Sequence, residues 1–459
     1  LNQLNKQQQE EKAWLFAESH QLSIVSPCTI GDGIACLSEE QIISYLRIYE
    51  ASNKLLCFFV PSSGMGSRMF EELMKALNKN ELQHSSLQKW IANIHKFPFD
   101  PGFVKSAQTD PLMLLKRLLY NDDQGIINQS KGSIPFHSYE NGSVLTPFQE
   151  HLVQSSAISS LPVHVHFTVQ EDKKEVISEK LSSFIEDSAL TCRFSLSVQN
   201  KATDAFVFSS DGRPFLKEGT WMRRPAGHGA LLENLNALQE EIILVRNIDN
   251  IPHQDHSEMV NYWWKVLVGC LLHVKKEVEF ALQKPDKEVL TNLISNFNLY
   301  SSEELSHCKN EEDLTALLKR PLRVCGMVKN QGQPGGGPFW VKHAKGVSKQ
   351  IVEGAQLVGL ENEKQLLSES SHFNPVMIAV HRTDWNDKPF DLMGFMDVGG
   401  GMKIKRQYDG NEIVFRERPG LWNEAMANWN SVFIEIPEHV FTPVKTVFDL
   451  LNPVHQRNQ

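Results

Sequence analysis

The chain has 459 residues, 41% hydrophobic and 22% charged, which is enough apolar content for a large core and two or three structural units. Its 46 basic residues stand against 55 acidic ones, a formal net charge of −9, and that balance argues against a nucleic-acid binder. The seven cysteines are odd in number and form no CxxC pair, which fits a reduced, cytoplasmic setting without a cysteine metal site.

The opening LNQLNKQQQEEK is polar and lacks the apolar core of a secretory leader. The best membrane candidate, Val266 to Val274, is closed by Lys265 and Lys275, far short of the ~20 apolar residues of a span. Residues 1–53 read as an N-terminal helical segment. Within it Ser38-Glu39-Glu40-Gln41 has capping-box form, and Ile42, Ile43, Leu46 and Tyr49 follow at helical spacing.

Residues 54–250 read as an α/β core. The run Leu55-Leu56-Cys57-Phe58-Phe59-Val60 carries no charge and suits a strand buried on both faces, as in a parallel sheet. Pro61, Ser62, Ser63, Gly64 and Gly66 then form a turn. Ser67, Arg68, Met69 and Phe70 lead into a helix with Met69, Leu73 and Leu77 on one face. Strand, glycine turn and helix in that order point backbone N–H groups at an anion, and Arg68 adds a charge-assisted grip. The loop is neither a Walker loop nor the dinucleotide fingerprint. The plainer alternative is a tight turn with Ser67 near a helix N-terminus.

Residues 71–127 read as a helical insertion, broken at Asp100-Pro101-Gly102. A helix starts at Pro147. LPVHVHFTV, 161–169, alternates like a strand with His164 and His166 on one face. That pair suits a metal or an ordinary half-exposed face, and the second is the reading adopted. A helix over 173–186 and strands over 194–198 and 205–209 follow, with a turn at Asp211-Gly212. Pro225 to Gly229 is a second glycine turn opening a helix. Glu241 to Arg246 reads as a strand, which places Asp249 at the carboxyl edge of a sheet, where open α/β folds bind ligands. Residues 251–320 read as a second helical insertion. Residues 321–459 read as a β-rich region completing the same body, with strands at 376–380, 392–396 and 431–436 and glycine turns at 335–337 and 399–401.

Four pieces stand in one order: GMGSRM (64–69), KGSIPF (131–136), PAGHG (225–229) and LVRNIDN (244–250). That order resembles the sugar-1-phosphate nucleotidyltransferases, in particular the N-acetylhexosamine and UDP-sugar pyrophosphorylase branch. The whole chain, with GMVKNQGQPGGGPFWV and WNSVF near its end, is also similar to a bacterial family known only as a domain of unknown function, grouped by fold with these transferases. The resemblance implies a mixed, mostly parallel α/β sheet of the nucleotide-diphospho-sugar transferase type, GT-A-like and Rossmann-like.

It further implies that a sugar-1-phosphate oxygen attacks the α-phosphorus of a nucleoside triphosphate and that pyrophosphate leaves, or the reverse. Gly64, Met65, Gly66 and Ser67 would cradle the phosphates, with Gly227, His228 and Gly229 beside the nucleotide. Arg68 and Lys131 would neutralise phosphate charge. Asp249 would hold Mg²⁺, with Asp397 or Asn430 as candidate second ligands. Such chemistry needs position and charge, not a nucleophile–base pair. The chain departs from the family pattern at Ser130, where proline is usual, at Pro61-Ser62-Ser63 in place of Ala-Gly-Gly, and in the length of the first insertion. Those departures keep open a non-catalytic nucleotide or nucleotide-sugar binding protein on the same scaffold. A glycosyltransferase ranks third, since Asn247-Ile248-Asp249 stands where Asp-x-Asp is usual. No nucleic-acid or membrane partner is expected.

Overall fold

A computed structural model describes residues 4–17, 22–79, 81, 83–99, 110–120, 125–332 and 335–458. The expected break at Asp100-Pro101-Gly102 lies outside them. The chain is mixed α/β and forms two compact units, each assembled from three stretches. One comprises Leu1–Lys54, Gln199–Ile243 and Val266–Pro437. The other comprises Leu55–Val198, Leu244–Lys265 and Glu438–Gln459.

The second unit is built on parallel strands Leu56–Pro61, Val163–Val169 and Cys192–Val198, paired in register Cys57 with His164 and Val163 with Cys192. The 56–61 strand is buried along nearly its whole length, as an uncharged apolar run must be between covered faces. The 163–169 strand is buried at every position, polar ones included. Its two histidines are accommodated by hydrogen bonds: His164 Nε2 and His166 Nδ1 both meet Ser195 Oγ, at 2.7 and 2.6 Å, and His166 Nε2 meets Ser197 Oγ at 2.7 Å. Both histidines are therefore more enclosed than a half-exposed face.

Helices Glu71–Asn78, Ser85–Asn93 and Pro111–Tyr120 carry the helical character expected after the loop. Leu73, Trp90 and Leu115 join one apolar cluster, and Val444, Val447 and Leu450 from the C-terminal stretch complete it. Helix Pro147–Ser156 starts with proline at its first turn and a Thr146/Gln149 capping box.

In the first unit, Ser38 and Gln41 form the capping box of helix Glu39–Glu50. Between this helix and Lys6–Phe16 lie three short strands, Ser23–Pro27, Thr29–Ile30 and Gly33–Ala35, so the segment is not helical throughout. Strands Gly33–Ala35, Asn430–Glu435 and Leu322–Lys329 run parallel, and Ile378–His381 adds antiparallel to the last. Helices Lys287–Phe297, Ser302–His307 and Glu311–Leu318 lie within residues 251–320. The strand expected at 392–396 is a 3₁₀ turn, Leu392–Phe395. The Asp391 side chain accepts the Met393 N–H there and closes the turn before an extended run can form. All seven cysteines are free, and no helix among the described residues is long and apolar enough to cross a membrane.

Candidate functional site

The loop after the 56–61 strand is fixed at its base. Ser62 is buried, and both its N–H (3.1 Å) and its Oγ (2.8 Å) donate to the Thr168 carbonyl of the neighbouring strand. The loop then pairs with the second motif. Gly66 N–H donates to Gln129 O at 3.0 Å and Lys131 N–H to Gly64 O at 2.9 Å, around a bridge between Met65 and Ser130. Gly66 is buried where a Cβ would run into Ile134, so glycine permits this close approach. Gly64 and Met65 are exposed, Ser67 is half-buried, and Arg68 is exposed on the 3₁₀ turn Gly66–Phe70. The loop that opens the resemblance and the lysine of its second motif are therefore one local structure.

Asp249 lies four residues beyond strand Ile242–Val245. Arg246 N–H donates to Phe59 O at 3.1 Å, which ties this stretch to the 56–61 strand. The carboxylate of Asp249 is 10% exposed. Lys131 Nζ, on a side chain 14% exposed, lies 2.6 Å from its Oδ2. Lys445 Nζ, on a side chain 49% exposed, reaches the same oxygen at 2.9 Å. The sequence reading does not include Lys445. It comes from a stretch laid along residues 249–256: Val444 N–H donates to Asp249 O at 2.9 Å, Thr442 N–H to Asn250 Oδ1 at 2.9 Å, and His253 N–H to Val454 O at 3.0 Å. Thr446 and Asp449 close a capping box just beyond the lysine.

Burial works to raise the Asp249 carboxyl, but the charges of Lys131 and Lys445 outweigh it and hold the group below the ordinary carboxylate value. Burial lowers Lys131 from the usual lysine value, against the opposing pull of Asp249. The cluster thus carries two cations on one carboxylate. Arg246 is buried too, with Nε donating to Asn250 O at 2.7 Å, and its charge partner is Glu150.

Helix 147–156 and the C-terminal stretch share a buried polar network. Glu150 Oε1 accepts from Tyr139 OH at 2.5 Å and meets His137 Nδ1 at 2.7 Å, and its Oε2 accepts from Gln154 at 3.0 Å. His137 Nε2 lies 3.0 Å from His455 Nδ1. The network therefore ties the C-terminal stretch carrying Lys445 to helix 147–156. Burial lowers His455 to about 3, with His137 adding to the effect, and holds His151 well below its ordinary value. Unfolded histidine titrates near 6.5. Between the two values the unfolded chain binds the extra proton, so this stability is full above about pH 6.5 and is lost as pH falls toward 3. We expect His455 alone to remove on the order of 2–3 kcal/mol by pH 4.5. Urea unfolding at pH 7.5 and 4.5 measures this, and His455→Asn should reduce the difference by that amount, leaving the share of His151.

The remaining site residues of the sequence reading belong to the first unit. Gly229 packs against the carbonyl of Pro419, and Gly227 lies beside Glu417. His228 Nδ1 accepts the Leu421 N–H at 3.0 Å, and its ring stacks on Trp422 at 4.1 Å. Asp397 is exposed and its Oδ1 accepts the Gly399 N–H at 2.9 Å. Asn430 is buried and its amide donates to Leu317 O at 3.1 Å.

The resemblance brings a divalent cation with it, and the donors around Asp249 do not suit a resident one. Hard cations such as Mg²⁺ take oxygen ligands, several of them. Here the one carboxylate already accepts two ammonium groups. The nearby Asp449 carboxylate caps the N–H groups of Lys445 and Thr446, at 2.8 and 2.7 Å.

A family model described as Domain of unknown function (DUF4301) matches residues 2–456. No curated protein matches the chain. Among solved structures, a mutant UDP-glucose pyrophosphorylase from Leishmania major is similar at 13% identity over 94% of this chain and 70% of its own, with a TM-score of 0.44. A UDP-glucose phosphorylase from Trypanosoma brucei is similar at 13% identity over 94% and 69%, with a TM-score of 0.43. An apo UDP-glucose pyrophosphorylase is similar at 11% identity over 73% and 83%, with a TM-score of 0.25.

Proposed function

The chain belongs to the DUF4301 family, and we propose that it binds the phosphates of a nucleotide at loop 64–69 and Lys131, and that it acts as a nucleotidyltransferase on a sugar-1-phosphate. The carrying observation is the convergence of Lys131 and Lys445 on the Asp249 carboxylate, with Lys131 held by backbone pairing to the glycine loop. The proposed fold type is that of the nucleotide-diphospho-sugar transferases.

The chemistry follows from the charges. An oxygen of the sugar phosphate, already anionic, forms a bond to the α-phosphorus, the bond to the β-phosphate bridging oxygen breaks, and pyrophosphate departs with that electron pair. No proton has to move, so no general base is required. Negative charge crowds at the reacting phosphorus and on the leaving group, and fixed cations lower the barrier by neutralising it. Lys131, mostly enclosed, is the positioned point charge. Lys445, half exposed, meets the outer phosphates. Arg68, exposed at the loop, would hold departing pyrophosphate. Asp249 orders the two ammonium groups between turnovers.

Incubation with a panel of nucleoside triphosphates and sugar-1-phosphates, following pyrophosphate release, tests this. At least one pair should turn over. Folded protein that releases none with any pair, yet gains thermal stability from a nucleotide, would instead be a binding module, because a ligand of the native state raises its stability without chemistry.

A further inference from the structure

We infer that the Lys131–Asp249–Lys445 cluster binds polyphosphate directly, without a divalent cation, by exchanging an internal carboxylate for the anion. The inference rests on the phosphate-site reading above and names the form in which that site takes its ligand.

The geometry favours an anion over a free cation on two counts. First, the charges: two ammonium groups lie 2.6 and 2.9 Å from one oxygen, so the three side chains together carry one positive charge, and Asp449 acts on Lys131 from farther out. A Mg²⁺ bound to that oxygen at about 2.1 Å would stand within about 5 Å of both ammonium nitrogens, in a slot where little water screens the repulsion. Second, the donors: Asp449 supplies the neighbouring carboxylate, and its Oδ2 is held by the N–H groups of Lys445 and Thr446 and by Thr446 Oγ1 at 3.2 Å. Moving that oxygen to a metal would undo the cap that sets the Lys445 backbone.

The arrangement has the features of an ion-exchange site. Asp249 keeps both lysines ordered and neutralised when no ligand is bound, which limits the cost of burying Lys131. A phosphate chain offers several anionic oxygens in place of one carboxylate. It takes over the ammonium groups without any change in bonding, and Lys445, with half of its side chain in solvent, has the freedom to swing from one partner to the other. Exchange of this kind reverses the expected sign of a mutation. If Asp249 were a metal ligand, Asp249→Asn would weaken phosphate binding. As an internal competitor, its removal strengthens it.

The experiment uses the full chain and inorganic pyrophosphate, measured by calorimetry in EDTA and again in excess Mg²⁺. In EDTA we expect one pyrophosphate per chain. Asp249→Asn should tighten it on the order of tenfold, and Lys131→Met and Lys445→Met should each weaken it by about that factor. MgCl₂ alone should give no binding heat. Binding that appears only with Mg²⁺, or an Asp249→Asn variant that loses metal-free binding while its urea midpoint is unchanged, overturns the inference and leaves the phosphate site standing. Equal binding by Lys445→Met and the unaltered chain overturns it as well. No pyrophosphate binding in either condition removes the phosphate site itself, and the inference with it.

Discussion

Lys131→Met should lower turnover by roughly 10²–10³ while leaving the chain folded. A fixed charge aimed at developing negative charge in an enclosed site is worth about that much. The side chain is only 14% exposed, so neither water nor a surface counter-ion replaces it. The stability cost should be small, within about 1–2 kcal/mol, because Asp249 keeps Lys445 as a partner and is not left buried and unpaired. Lys131→Arg should recover little of the rate, since a planar guanidinium does not fit a slot shaped for a compact ammonium beside Asp249. Pyrophosphate release per folded molecule, read beside urea unfolding, separates the two effects. Collapse of the urea midpoint with unchanged activity per folded molecule would make Lys131 a structural residue.

Much of the local structure follows from residues near in sequence. The uncharged run before Pro61 forms the buried strand Leu56–Pro61, and Ser38 with Gln41 makes its capping box, because both signals are complete within a few residues. The strands at Ser23–Pro27 and Gly33–Ala35 escape the same reasoning. They are too short to show alternation, and their pairing partners, Gly336–His343 and Asn430–Glu435, lie hundreds of residues away. The site divides in the same manner. Lys131 stands out through the motif it shares with the resembled family, and Asp249 through its place past a buried strand. Their contact, across 118 residues, is a tertiary fact. Lys445 lies 196 residues beyond Asp249, and nothing around VFTPVKT marks it for a phosphate. Only the backbone pairing of Val444 with Asp249 reveals why it belongs there. The buried histidines 137 and 455 are equally silent in sequence, since each reads as a lone polar residue until the other is placed against it.

The glycines of the two turns differ physically, and substitution should separate them. Gly64 has open space where a Cβ would stand, so Gly64→Ala should change stability by less than about 1 kcal/mol. Gly229→Ala should destabilise by on the order of 3 kcal/mol or more. Its Cβ would fall inside the van der Waals contact of the Pro419 carbonyl oxygen and carbon, and close to Arg418 O as well. These are backbone atoms, which no change of rotamer can move aside. The segment cannot easily retreat either. Arg418 N–H donates to Ala226 O at 2.9 Å, and Leu421 N–H to His228 Nδ1 at 3.0 Å, which stitches 418–421 to 226–228 on both sides of the contact. On this geometry Gly229 makes room for the protein's own backbone. The resemblance gives it another role, that of making room for a nucleotide. Thermal unfolding of Gly229→Ala, with nucleotide affinity measured on the fraction that stays folded, decides between them. A lower midpoint with unchanged affinity per folded molecule supports the backbone role. An unchanged midpoint with lost affinity would mean that Pro419 gives way and that the space at Gly229 serves the ligand.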